Sequence, residues 1–218
     1  TMSDMSLWGE QYTVGEANGT MDQGDFALAK LLIQKEEGSS SIMARGRVTE
    51  GGELNGELLI DALAIPEDLF DGDFVDGTLQ VDAMIGGSFT SPEPSGRISW
   101  LDATIRGNPS GDGEVRFNSD DGLVDVEGAL LGGGLEMRGT LSLINERAFR
   151  LEAGGESLPL GLLLSESING DPIRGEFSGG FNARGTLGVG FEEVSAYVDS
   201  GGLRWRDRSL STEGRWGY

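Results

Sequence analysis

The stretch 71–100, "DGDFVDGTLQVDAMIGGSFTSPEPSGRISW", carries the reading of the fold. Between Val75 and Ile85 its odd positions are Val75, Gly77, Leu79, Val81, Ala83 and Ile85, all small or apolar. Asp76, Thr78, Gln80 and Asp82 stand between them. A period of two places successive side chains on opposite faces of an extended chain, so this stretch is a half-buried β-strand. The spacings of three and four that a helix needs are absent. The "SPEPSG" at 91–96 reads as a break between this strand and the next.

The same alternation recurs on both sides of this stretch. Ile42, Ala44, Gly46 and Val48 form one run, and Leu54, Gly56, Leu58, Ile60 and Ala62 the next. Val124, Val126, Gly128 and Leu130 face away from Asp125 and Glu127. Leu135, Met137, Gly139, Leu141 and Leu143 face away from Glu136, Arg138, Thr140 and Ser142. The longest run joins Phe177, Gly179, Phe181, Ala183, Gly185, Leu187, Val189 and Phe191, with Val194, Ala196 and Val198 beyond a break at Glu192 and Glu193. Turn-forming clusters separate the runs: "KEEGSS" (35–40), "EGGE" (50–53), "NPSGDG" (108–113), "NSDDG" (118–122), "LGGG" (131–134) and "DSGG" (199–202). Short strands at this spacing predict an antiparallel meander. The nearest approach to a helical pattern, "INERAFRLEA" (144–153), alternates at Phe149, Leu151 and Ala153 better than it helicises.

Composition supports an all-β chain and excludes several function classes. Glycine makes up 37 of 218 residues, more than twice the usual ~7%. Much of it recurs in a signature of Gly, polar, apolar, any, apolar, as in "GELLI" (56–60), "GTLQV" (77–81), "GRISW" (96–100) and "GTLSL" (139–143). Glycine weakens a strand, so its recurrence inside strands points to bulges, bends or close backbone approach in a curved sheet. The net charge of −21 argues against nucleic acid, since phosphate binding needs clustered cations. With no His and no Cys, disulfides, thiolate chemistry, Cys/His zinc sites and Ser-His-Asp triads are excluded. No run of apolar residues is long enough for a spanning helix. The chain begins at Thr1 and stops at Tyr218 within a strand-like pattern, as expected of a segment of a longer protein.

A longer repeat underlies the alternation. Gly72, Gly77 and Gly87 recur as Gly170, Gly175 and Gly185, and Asp73 recurs as Asp171. Leu79, Ala83, Ile85 and Phe89 fall on Phe177, Phe181, Ala183 and Leu187. The offset is even, so the apolar parity is kept. The expected organisation is one continuous β-structure: strands over 1–53, a first repeat over about 54–150 and a second over about 151–218.

Chemistry-bearing constellations are weak. "DGD" (71–73), "NGD" (169–171), "SGDG" (110–113) and "DDG" (120–122) offer oxygen ligands on turns, without EF-hand spacing. Glu67–Asp68 and Glu192–Glu193 are neighbours in an extended chain, so the two members point to opposite faces and do not make a glycosidase pair. Arg204, Arg206 and Arg208 share one strand face opposite Leu203 and Trp205. No base or nucleophile constellation is present, and neither an enzyme nor a cofactor is expected.

Residues 42–216 resemble the TamB family, within the AsmA-like group of long bacterial envelope proteins. The likeness rests on "LLIDALAIPEDLFDGDFVDGTLQVDAMIGGSFTSPEPSGRISWLDATIRG" (58–107): an apolar patch, a Gly-containing loop, a Gly-x-Leu-x-apolar step, a Pro-containing break and a second Gly step. Residues 151–216 repeat the theme without the Pro-containing break. The resemblance implies a long sheet curled into an open trough lined with apolar side chains, a β-taco. It implies a periplasmic location, in a protein anchored in the inner membrane and reaching the outer membrane. It further implies that phospholipid acyl chains move along the trough toward the outer membrane, with an outer-membrane barrel of the BamA/TamA type as partner of the whole protein. The expected lining is Leu58, Ile60, Val75, Leu79, Val81, Ile85, Val124, Val126, Leu135, Met137, Leu141, Leu143, Phe177, Phe181, Leu187 and Val189. The alternative is a structural or adhesive β-solenoid or β-sandwich, stabilised by calcium at its acidic turns.

Overall fold

The computed structural model describes the chain except at positions 1–4, 8–9, 13, 35–39, 65–74, 106, 145–146, 160–166, 169–170, 188, 206–207 and 218. The described residues are almost entirely β. In chain order the strands are β1 (Met5–Leu7), β2 (Glu10–Tyr12), β3 (Val14–Asp22), β4 (Asp25–Gln34), β5 (Ser41–Val48), β6 (Leu54–Ala64), β7 (Val75–Gly87) and β8 (Pro92–Ile105). They continue with β9 (Asn108–Pro109), β10 (Gly113–Asp120), β11 (Leu123–Leu130), β12 (Leu135–Ser142), β13 (Ala148–Pro159), β14 (Ser167–Ile168), β15 (Asp171–Thr186), β16 (Gly190–Trp205) and β17 (Arg208–Gly217). A single 3-10 turn at Leu131–Gly133 is the one helical element among the described residues.

Thirteen strands, β3 to β8, β10 to β13 and β15 to β17, follow one another in one open antiparallel sheet; β9 and β14 pair off this path and β1 pairs β2 separately. Twelve steps of about 4.8 Å give the ladder a length of roughly 60 Å. Every ladder between described strands is antiparallel, as in a meander, whereas the stacked coils of a solenoid run parallel.

Register locks the apolar parity of each strand to the next. One row runs Gly15, Ile33, Ile42, Ile60, Val81, Ile98, Val115, Gly128, Met137, Ala153, Phe181, Ala196 and Trp216, one residue on each of the thirteen strands, and none is polar. A slip of one residue anywhere would turn the following apolar set to the other face. Extra residues are absorbed in bulges instead. In β6 the shift lies between Ile60 and Leu63, in β13 between Gly155 and Leu158, and in β8 opposite Asp76 and Thr78. Each holds one non-glycine residue at positive φ: Ala62 (54°), Ser157 (52°) and Asp102 (50°).

Four sequence expectations change at this level. "DSGG" lies inside β16 as a bulge, since both neighbouring ladders shift register around it, and not as a turn. Glu192 is likewise a bulge within β16 rather than a break. "SPEPSG" begins β8 rather than separating strands: Pro92 and Pro94 pair with Gly87 and Ile85, while the ladder to β10 starts only at Ser95. The prolines, lacking an N–H, sit where β8 has no second partner strand. Ala62, read as inward, is the bulge residue, and Leu63 takes the inward place.

The glycine signature is explained by clearance. A Cβ on Gly96, Gly128 or Gly139 would come within 2.3, 2.5 or 2.6 Å of a carbonyl oxygen on the adjacent strand. All three occupy apolar-face positions, where the adjacent backbone approaches too closely for a side chain. We predict that Gly96→Ala, at φ 155°, destabilises the fold by about 1–3 kcal/mol. The control Gly202→Ala, whose Cβ meets nothing within 4 Å, leaves the midpoint of thermal unfolding unchanged.

Candidate functional site

The candidate site is the apolar face of the sheet. Of the residues expected to line it, Leu58, Ile60, Leu79, Val81, Ile85, Val124, Val126, Leu135, Met137, Leu141, Phe177 and Phe181 all share this face by register. The backbone of Val75 pairs with Ile105, and its side chain lies outside the described part. Leu143 falls just past β12, where its N–H donates to the Gly122 carbonyl at 2.8 Å.

Leu187 and Val189 are corrections. The run from Phe177 to Phe191 reads as one strand in sequence, but β15 ends at Thr186 and β16 starts at Gly190. Leu187 and Val189 therefore sit in the connecting turn, exposed at 49% and 84%, closed by a hydrogen bond from Val189 N to Thr186 O. Gly190, at φ 127°, opens β16 directly after the turn, within a pattern that still alternates.

Several members of this face were not among the expected lining. Ile33, Ile42 and Leu63 form a buried cluster, with Leu31, Ile60 and Leu79 packed against it. Phe117, Phe149, Leu151 and Leu158 join the same face farther along. The signal for Phe117 was the Gly signature at 113–117, and for Phe149 and Leu151 the alternation already visible at 149–153. Phe149 meets Phe191 edge to face, ring centroids 5.6 Å apart, over Gly185 between them.

The face is unevenly covered. Ile42, Leu63 and Leu158 are buried at the end of the strands away from the turns at Gln23–Gly24, 88–91 and 187–189. Toward those turns Met21, Phe26, Ile85 and Phe191 remain exposed, Met21 at 78% and Phe191 at 70%. Val124 departs from the trend: it is 4% exposed near a turn, between Ser119 and Leu141. Ser119 interrupts the apolar surface with a buried hydroxyl that has no partner.

The opposite face is polar and held by ion pairs between strands. Arg45 pairs with Glu57, Arg47 with Asp25, Arg138 with Glu152 at 2.9 Å, and Arg184 with Glu193 at 2.9 Å. Lys30 meets Glu16 at 2.9 Å, and this hydrogen bond, with the lysine charge, holds the Glu16 carboxyl below its usual range. Asp25 is lowered by its hydrogen bond to Arg47 and by the backbone N–H of Glu50. The acid pair Glu192–Glu193 is engaged locally, Glu192 with Thr186 and Glu193 with Arg184. Among the described residues no group of three or more acids is arranged to hold a metal ion. The acidic turns at 71–73 and 169–170, Glu67–Asp68, and the side chains of Arg204, Arg206 and Arg208 lie outside the described part.

Two predictions follow from the two faces. Val124→Asp should lose about 3–5 kcal/mol, because the carboxylate is buried without a partner, whereas Phe191→Asp should cost little; denaturant titration of both separates the covered from the open part of the face. Asp25 has a depressed folded pKa, so its contribution is present above the unfolded pKa of about 3.9 and is lost as pH falls through the folded value. Asp25→Asn should therefore lower the thermal midpoint at pH 7 and make no difference below the folded pKa. No family model, no curated protein and no solved structure matches this chain.

Proposed function

We propose that the chain is a segment of a lipid-transfer bridge, in which the apolar face is the inner wall of a trough that holds phospholipid acyl chains. The observation that carries this reading is the thirteen-strand row without a polar residue, continuous across strands. A binding protein for one small ligand concentrates its contacts in a pocket. A row one residue wide and thirteen strands long gives every position along roughly 60 Å a similar apolar surface. Each methylene transferred from water to such a surface contributes about 0.8 kcal/mol. The lining of Ile, Val, Leu, Met, Phe, Ala and Gly has few hydrogen-bonding groups that would hold a chain at one place.

The exposed Met21, Phe26, Ile85 and Phe191 favour an open side to the trough at the turn end of the strands. The polar face, with its ion pairs, would be the outer, wet wall. The resemblance to the TamB family supports a periplasmic setting between the inner and outer membranes and a barrel partner at the outer membrane. The two long strand pairs β6–β7 and β13–β15 each carry a bulge with one non-glycine residue at positive φ, and Gly77 and Gly175 (φ 139° and 157°) occupy matching places in β7 and β15. These correspondences support the two-repeat organisation. The reading requires no catalytic group and no cofactor.

Native mass spectrometry of the purified chain should detect co-purified phospholipid, and photo-crosslinking probes at Leu79 and Leu141 should label acyl chains while one at Arg138 should not. Leu141→Asp and Phe181→Arg should abolish lipid transfer by the whole protein. Absence of lipid together with unlabelled probes on a folded chain would sink the proposal.

A further inference from the structure

One edge of the sheet carries large apolar side chains at its turns. Six connections close this edge, at 23–24, 49–53, 88–91, 121–122, 143–147 and 187–189. Hydrogen bonds tie neighbouring connections together. The Glu50 N–H donates to the Asp25 carboxylate at 2.8 Å, and Phe89 N to Gly52 O at 3.1 Å. Leu143 N donates to Gly122 O at 2.8 Å, and Leu187 N to Arg147 O at 3.1 Å. Joined side by side in this way, the connections form a rim.

Tight turns ordinarily carry Gly, Asn, Asp or Ser at their tips. On this rim Met21 is 78% exposed beside the first connection, and Phe89 is 67% exposed within the third. Leu123 is 46% exposed beside the fourth, and Val189 is 84% exposed within the sixth. The described residues in the connections of the opposite edge, 107–112 and 131–134, include no exposed aromatic or large aliphatic side chain. Apolar exposure gathered on one edge marks an interaction surface.

The placement of these side chains selects the partner. Neighbouring ones stand two or three strands apart, about 10–15 Å, and do not merge into one patch. They also fall on both faces: Met21 and Phe191 on the apolar face, Leu123 on the polar one. A protein partner covers a contiguous patch and receives its anchors in fixed pockets. A bilayer surface is fluid, closes around separated tips from both sides and needs no pocket, and its hold grows with the apolar area inserted. Charge narrows the choice of lipid. Asp22, Glu50, Glu53, Asp120 and Asp121 are exposed along the rim, and Arg147 is the one cation among the described residues of its connections. Anionic headgroups would be repelled, whereas the outward ammonium of a zwitterionic headgroup complements these carboxylates.

We propose that this rim docks edge-on against a zwitterionic bilayer, with Met21, Phe89, Leu123 and Val189 inserted among the headgroups. The surface stands independently of the lipid-transfer reading, because docking is measured without lipid movement and the residues substituted lie outside the apolar row. The whole 218-residue chain is floated with vesicles of phosphatidylcholine and phosphatidylethanolamine. Binding is expected, and replacing half of the lipid by phosphatidylglycerol should weaken it severalfold at low salt. Phe89→Ser combined with Val189→Ser should weaken binding by about tenfold or more. Both side chains are exposed, so the thermal midpoint should stay where it is. The chain has no cysteine, so a polarity-sensitive fluorophore is attached at Val189→Cys or, on the opposite edge, at Pro109→Cys. Vesicles should shift the emission of the first to the blue and leave the second unchanged. The proposal is overturned if the zwitterionic vesicles do not bind, if the double variant binds like the unsubstituted chain, if the anionic vesicles bind more tightly, or if the label at 109 responds as strongly as the one at 189. Phospholipid co-purified with a chain that does not bind vesicles would keep the lipid-transfer reading and remove this one.

Discussion

The hydrogen-bonded register between neighbouring strands is the constraint on which the rest of the structure depends. In a meander each strand inherits its facing from the strand before it, so one error of a single residue would invert everything downstream. Over thirteen strands the apolar parity is nevertheless maintained. Where the spacing of apolar residues is irregular, the backbone supplies a bulge: Ala62, Asp102 and Ser157 each absorb one residue by adopting a left-handed conformation. Strain at those positions is local, whereas loss of the common face would be global.

A sheet with one apolar face must still keep that face from water. Here close backbone approach contributes. Glycines at 96, 128 and 139 remove the Cβ atoms that would strike the carbonyls of the next strand. Aromatic rings then take the space the glycines leave: Trp100 lies against Gly77, with its indole N–H donating to Asp76 O at 3.2 Å, and Phe149 and Phe191 meet over Gly185. The protection is incomplete, and the uncovered Met21, Phe26 and Phe191 gather at one end of the strands. The proposed lipid reading rests on this continuous apolar row and its exposed margin.

The polar face solves a different problem. Unpaired acids on a chain of net charge −21 would repel across strands. The arginines are placed directly opposite or diagonal to carboxylates, as in Arg45–Glu57, Arg97–Asp82 at 3.7 Å and Arg138–Glu152. Such exposed pairs add little stability one by one, but they set the sign pattern of the face.

The sequence by itself determined the strands, their parity and the absence of thiol, imidazole and disulfide chemistry, because period-two alternation and composition are local properties. Twelve of the sixteen expected lining residues fall on one face for that reason. Leu187 and Val189 were misplaced because a tight turn flanked by glycines preserves the alternation it interrupts. Ala62 was misplaced because a bulge changes facing without any change in composition. Pro92 and Pro94 looked like a strand terminator, and only the neighbouring strand's length, which leaves that part of β8 without a second partner, makes them tolerable. How far each ladder extends, where the bulges fall and which part of the apolar face stays open are decided by contacts between residues distant in the chain. No local pattern encodes them; they follow from pairing thirteen strands in one register at once.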